Sequence, residues 1–222
     1  MTASVDAAMG VPGPGRFITL EGGEGAGKST QLRLLADGLT GAGLSILATR
    51  EPGGSAGAEE IRGLLLGGGV GRWDLVTEAL LMMAARRDHV ERTVRPALAA
   101  GVWVVSDRFE DSTRAYQGAG SGLDPNIIGD LSRIACEGLA PDLTLILDLP
   151  VSMGRARAAA RHAGADRFEQ RDDAFHERVR AGFLAIAAAE PGRCAVIDAT
   201  AAPAEVASAI RAVVQARLGI SW

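Results

Sequence analysis

The sequence predicts an α/β fold: a five-stranded, parallel, doubly wound sheet flanked by helices. Short apolar runs alternate with long helical patterns along the chain. The runs are nearly continuous in Val, Ile and Leu, as strands are when both sheet faces are covered. The charged residues Glu21, Arg50, Asp107 and Asp148 fall at or just after the end of a run. In sheets of this class ligands gather at the carboxyl ends of the strands.

The predicted strands are residues 16–21, 44–49, 102–107, 143–148 and 194–198. Helical patterns cover residues 31–39, 77–100, 172–189 and 204–218. Strand–helix alternation implies right-handed crossovers in one sheet. No internal repeat or linker interrupts it, so residues 16–222 are expected to form a single domain. Residues 1–15, rich in Gly and Pro, are expected to be a disordered leader. They lack the basic start and long apolar stretch of a secretory signal.

The chain has 222 residues, 47% of them hydrophobic and 4% aromatic, so the core must be built from Leu, Ala, Val and Ile. The net charge of −4 argues against a nucleic-acid surface, which needs a basic domain. No run reaches the ~18 apolar residues of a membrane helix. Cys136 and Cys194 lie far apart and form no metal-binding pair, so buried free thiols and a cytoplasmic location are expected.

Lys28 is the only lysine; every other basic side chain among the 23 Lys and Arg is arginine. It sits in Gly22-Gly23-Glu24-Gly25-Ala26-Gly27-Lys28-Ser29, followed by Thr30. The octet fits G-x-x-x-x-G-K-[ST], the phosphate-binding P-loop. A chance match in a glycine-rich chain is the competing reading. It fails on context, because the octet follows a predicted strand and opens a helix. Backbone N–H groups of such a loop converge on phosphate oxygens, and the helix adds its positive end. A compact ammonium fits between β- and γ-phosphates where a planar guanidinium does not. Gly22 to Thr30 are therefore the expected ATP-binding residues, and Ser29 is an expected Mg²⁺ ligand. A strand-end acid completes a Mg²⁺ site. Asp107 is favoured over Asp148, which precedes Leu149-Pro150 and looks structural.

Three further segments define the acceptor. They are Thr49-Arg50-Glu51-Pro52-Gly53-Gly54, Glu78 to Arg86, and Asp107-Arg108-Phe109-Glu110-Asp111-Ser112-Thr113-Arg114-Ala115-Tyr116-Gln117. With these motifs the chain resembles the bacterial type of thymidylate kinase, from Arg16 to the C-terminus. Pro141-Asp142-Leu143-Thr144 and Asp166-Arg167-Phe168-Glu169 extend the likeness. The resemblance implies a P-loop kinase fold with a short lid at residues 151–169. It implies phosphorylation of dTMP to dTDP by ATP and Mg²⁺, in dTTP synthesis. The alternative within the same fold is a kinase for another nucleoside monophosphate.

The resemblance also implies roles. Arg108 holds the dTMP phosphate. Arg86, a pure donor, bonds the thymine carbonyl edge. Ser112 and Gln117 complete the base contacts, Tyr116 packs under the deoxyribose, and Glu51 and Arg62 line the pocket. Met82 stands where the family has a stacking Phe, and its polarisable sulfur can still lie on the ring. Its competing reading is core filling. Glu21 and Glu24 are the two candidates for the sugar 3′-hydroxyl, and Glu24 has a lid arginine as its other candidate partner. The P-loop here lacks arginine, and in that case the family supplies it from the lid; Arg157, Arg161 and Arg167 are the candidates. Arg157 and Arg161 share a helix face. A solvated basic face is the competing reading for them. His89, His162 and His176 are assigned no catalytic role. The resemblance implies small-molecule partners only, and a homodimer packed near residues 77–100.

Overall fold

The computed structural model describes residues 15–160 and 167–222. The strands are β1 (Phe17–Glu21), β2 (Ile46–Arg50), β3 (Trp103–Asp107), β4 (Leu143–Asp148) and β5 (Cys194–Asp198). They form one parallel sheet in the order β2-β3-β1-β4-β5. The fold is the one expected. The chain leaves β1 on one side to build β2 and β3, and later crosses to the other side for β4 and β5. The crevice where the direction changes lies at the carboxyl end of β1, between β3 and β4.

The helices are α1 (Lys28–Gly41), α2 (Ala56–Leu66), α3 (Leu75–His89), α4 (Arg95–Ala99), α5 (Glu110–Thr113), α6 (Pro125–Cys136), α7 (Val151–Ala159), α8 (Asp173–Ala189) and α9 (Pro203–Leu218). Their starts follow local chemistry. Asp74 accepts from the N–H groups of Val76 and Thr77, and Asp172 from that of Phe175, satisfying donors that a helix start leaves orphaned. Pro125 and Pro203 occupy first-turn positions where a missing N–H costs nothing.

The long pattern over residues 77–100 is not one α-helix. After α3 it widens into a π-helical turn, Val90–Val94, then resumes as α4. Pro96 lies just beyond, has no N–H, and cannot continue an α-helical ladder. A second π-helical turn, Arg114–Gly120, follows α5 and carries Tyr116 and Gln117.

The period-two alternation of β1 sends Ile18 and Leu20 into a core with Leu35, Leu39, Val105, Leu145 and Leu147, against α1 and α9. Phe17 points the other way, into a core with Met83, Val90, Val104 and Phe109. Thr19 and Glu21, on that second face, are fully buried and polar. The hydroxyls of Thr19 and Thr144 bond to each other at 2.9 Å. Cys136 and Cys194 are free and buried. Among the described residues, no helix is long and apolar enough to cross a membrane.

Candidate functional site

One cleft of about 410 Å³ opens at the carboxyl ends of β1, β2 and β3. Glu24, Gly25, Gly27, Lys28, Ser29 and Thr30 line one end of it. Gly27 sits at φ 89 and turns the chain directly into α1, which presents its positive end to the cleft. The other loop residues stand behind. The carbonyls of Gly22 and Gly23 accept from Lys28 Nζ at 3.1 and 2.9 Å, and Ala26 packs in the core. Lys28 is buried, and its pKa is lowered by that burial and by Arg108, against the pull of Glu24 and Asp107.

Gly25 (φ 70) faces α7 so closely that a Cβ there would lie 2.1 Å from the Gly154 carbonyl oxygen. A Cβ on Gly154 would lie 2.4 Å from the Glu24 carbonyl oxygen. The phosphate loop and the first turn of α7 therefore touch backbone to backbone.

Ser29 Oγ donates to Asp107 Oδ2 at 2.7 Å. A hydroxyl and a single carboxylate beside a phosphate loop are a hard-oxygen set of the kind Mg²⁺ takes, the remaining positions going to phosphate and water. Asp148, the rival acid, is instead held by both Nε and Nη2 of Arg180.

Arg108 follows Asp107 at φ 73, an unusual conformation for a side-chain-bearing residue. Two bonds fix it there: its N–H donates to Leu20 O, and its own carbonyl accepts from Ser106 Oγ. The strain aims the guanidinium back over β1, where it donates to Gly22 O, Ser112 Oγ, Tyr116 Oη and Glu24 Oε1. The Glu24 bond is 2.7 Å, and Tyr116 Oη donates to the same oxygen at 2.7 Å. Among the described residues, the partners of Glu24 are thus Arg108 and Tyr116. Burial would raise the Glu24 carboxyl, but Arg108, Lys28 and the Tyr116 hydroxyl outweigh it and bring it down to about 2. Arg108 is itself pushed up: the Tyr116, Glu24 and Asp107 groups overcome its desolvation.

The far end of the cleft is built around Arg86, which is 3% exposed. Its Nε bonds Glu51 Oε2 at 2.7 Å, its Nη2 bonds Phe109 O at 2.9 Å, and its Nη1 lies 3.3 Å from Met83 Sδ. The second oxygen of Glu51 meets His89 Nδ1 at 2.9 Å, and Thr49 Oγ1 meets His89 Nε2 at 2.8 Å. Burial pushes the Glu51 carboxyl up, but Arg86 and His89 more than reverse it. Met82, Arg62, Ser112, Tyr116 and Gln117 also line the cleft. Met83 does not; it is buried in the core. Arg62 donates to Pro52 O at 2.6 Å. The Tyr116 ring is wedged edge-on against Phe168, Phe175 and Phe183.

Two expected site residues lie elsewhere. Glu21 is beneath the cleft and does not line it: it is fully buried, and its oxygens accept from Phe109 N–H at 2.8 Å and Ser112 Oγ at 2.6 Å. Burial, and then the Asp111 carboxylate, push its carboxyl up to about 8. Arg167, expected on the lid, is 1% exposed and ion-paired with Glu78 at 2.7 Å, with Nε on Leu65 O. A guanidinium buried in this way is a tether, not a cation waiting for phosphate. Arg157 lines the cleft and donates to the carbonyls of Ala199 and Thr200. Arg161 and His162 lie outside the described residues, as do residues 1–14 of the expected leader. His89 and His176 are buried beside the cleft rather than lining it.

Phe109, Thr113 and Phe168 line the cleft without having been predicted to. Each is adjacent to, or inside, a motif segment, and that adjacency was the available signal. Glu78 opens a motif segment and His89 lies just beyond it, but both are buried and act through neighbours, which the sequence does not show.

A family model described as thymidylate kinase matches residues 20–210. The thymidylate kinase of Caulobacter vibrioides is 59% identical over 206 residues, which are 93% of this chain and 99% of that protein. The thymidylate kinase of Rhizorhabdus wittichii is 57% identical, over 87% of this chain and 93% of that protein. Among solved structures, thymidylate kinase from Ehrlichia chaffeensis superposes with a TM-score of 0.74 at 35% identity, covering 92% of this chain and all of that one.

Proposed function

Since this chain belongs to the thymidylate kinase family and phosphorylates dTMP to dTDP with ATP as donor, we propose the following division of labour among its residues. The observation that carries it is one continuous cleft with a phosphate loop at one end and a buried guanidinium, Arg86, at the other. Between them stands Arg108.

Lys28 turns from the Gly22 and Gly23 carbonyls to lie between the β- and γ-phosphates of ATP, while loop N–H groups hold the β-phosphate. Arg108 takes the dTMP phosphate. Its present bonds to Glu24 and Tyr116 keep it in the cleft in the absence of that phosphate. Glu24 is free to take the sugar 3′-hydroxyl once Arg108 has a phosphate to bind. Arg86, fixed by Glu51, donates to the thymine carbonyl edge, and Met82 lies across the ring. Tyr116, rigid among three phenylalanines, leaves no room for a 2′-hydroxyl. Ser29 and Asp107 are the residues that would hold Mg²⁺. When bound, the ion neutralises phosphate charge as it develops. The acceptor is already an anion, so little proton transfer is needed. Positioning and charge neutralisation supply the rate. Arg157, with Arg161, provides arginine charge on the donor side.

Exposed apolar residues Val76 and Leu80 on α3, with Leu64 on α2 and Ile127 and Ile134 on α6, support a homodimer formed through these helices. Light scattering on the purified protein tests it, and a monomer at micromolar concentration refutes it. The free buried cysteines and the absence of a membrane-crossing helix among the described residues support a cytoplasmic enzyme supplying dTTP synthesis.

The decisive assay measures ADP release from ATP and Mg²⁺ against dTMP, dUMP, dCMP, dGMP and dAMP. Turnover with dTMP at the highest kcat/KM is expected. Absence of dTMP-dependent turnover would defeat the reading.

A further inference from the structure

Gln117 is buried against the cleft on the second π-helical turn. Its Nε2 donates to Glu78 Oε1 at 2.8 Å. The other oxygen of Glu78 is taken by Arg167 Nη2 at 2.7 Å, and Arg167 is anchored on Leu65 O. Glu78 is 1% exposed and is not part of the cleft wall. A carboxylate has only acceptors. Reversing the Gln117 amide would set two acceptors against each other in a buried place, a costly arrangement. The amide nitrogen is therefore committed to Glu78, and the carbonyl oxygen is the atom presented to the cleft.

The base end of the cleft then carries an acceptor from Gln117 and donors from Arg86. That pattern complements a 4-keto pyrimidine, which offers an N3–H donor and an O4 acceptor. A 4-amino pyrimidine offers the reverse, an N3 acceptor and an amino donor.

We propose that Glu78, without touching substrate, is the positioning residue that sets the preference for 4-keto over 4-amino pyrimidines, by holding the Gln117 amide in one orientation. The inference rests on the reading that the base enters between Met82 and Arg86. Arg167 completes the lock, because as a pure donor it dictates which atom of residue 78 faces it.

Glu78→Gln makes the test. Arg167 would draw the carbonyl of the new amide, leaving its NH₂ toward Gln117. Gln117 would then turn its own carbonyl inward and present NH₂ to the cleft. Steady-state kcat/KM is measured for dTMP and dCMP, together with KM for ATP. The dTMP/dCMP ratio is expected to fall at least about tenfold, with KM for ATP within about twofold of wild type. Glu78→Asp, still acceptor-only, should keep the wild-type ratio even if both activities drop. If Glu78→Gln does not fold, Glu78→Met, with no group to orient the amide, should lower the ratio as well. A Glu78→Gln ratio within about twofold of wild type, or equal loss with Asp and Gln, overturns the proposal. A wild-type protein inactive on dTMP would instead defeat the functional reading beneath it.

Discussion

The carboxyl of Glu21 makes the stability of this fold depend on pH in a calculable way. It is pushed up to about 8 by burial and by Asp111, from an ordinary value of 4.5. Below pH 4.5 the folded and unfolded chains both hold this proton, and the group's stabilising contribution is complete. As pH rises toward 8 the unfolded chain releases the proton while the folded chain keeps it, so stability falls. Each pH unit corresponds to about 1.36 kcal/mol. Between pH 5 and 8 the loss approaches about 4 kcal/mol. Glu21→Gln keeps an acceptor for Phe109 N–H and a polar group for Ser112, and removes the titration. Urea unfolding of both proteins at pH 5, 6, 7 and 8 measures the effect. The variant should gain on wild type by about 2–4 kcal/mol across that range, or roughly 4–16 °C in Tm for a chain of this size. Taking the difference cancels other titrating groups, including His176, whose pKa burial lowers and whose effect runs the opposite way. A gap between the two proteins that is constant with pH would refute the reasoning.

Lys28→Arg keeps the charge and loses the compact geometry; kcat/KM should fall about a hundredfold or more, and a fully active variant would contradict the role assigned to the ammonium. Arg157→Ala should lower kcat at least about a hundredfold while changing KM for dTMP less than threefold; an unchanged kcat would remove Arg157 from the donor side. Arg167→Met strands Glu78 as a buried, unpaired carboxylate and should cost about 3–5 kcal/mol in urea unfolding, whereas a loss below about 1 kcal/mol would mean that the ion pair is not a tether. Chelation with EDTA should abolish ADP release and added Mg²⁺ should restore it; turnover that survives chelation would dismiss the Ser29–Asp107 pair as an ion site.

The strands were legible because they are mostly apolar, and β4 and β5 begin and end where the apolar runs do. The P-loop was legible because its chemistry is local: eight consecutive residues do one job. The break in the long helix was less visible, since Pro96 announces a missing donor but not the wide turn that absorbs it. Arg167 shows why charge alone did not place every arginine of this segment. In sequence it stands near other arginines and shares their charge. Its function follows from Glu78, far away along the chain, which a sequence pattern does not connect to it. Glu21 misled similarly, because a strand-end acid in such a sheet usually faces the ligand. Here Phe109 N–H and Ser112 close over it.

Gly25 and Gly154 meet with no side chain between them. A joint that close transmits displacement without slack. The start of α7 cannot tilt without moving the phosphate loop, and Arg157 lies one helical turn beyond it. Nucleotide seated in the loop thus sets where that arginine's helix begins, and any hinge for closing over the substrates has to lie on the far side of Gly154. A methyl group at either glycine would act as a wedge, separating donor binding from the delivery of charge while leaving the acceptor end of the cleft untouched.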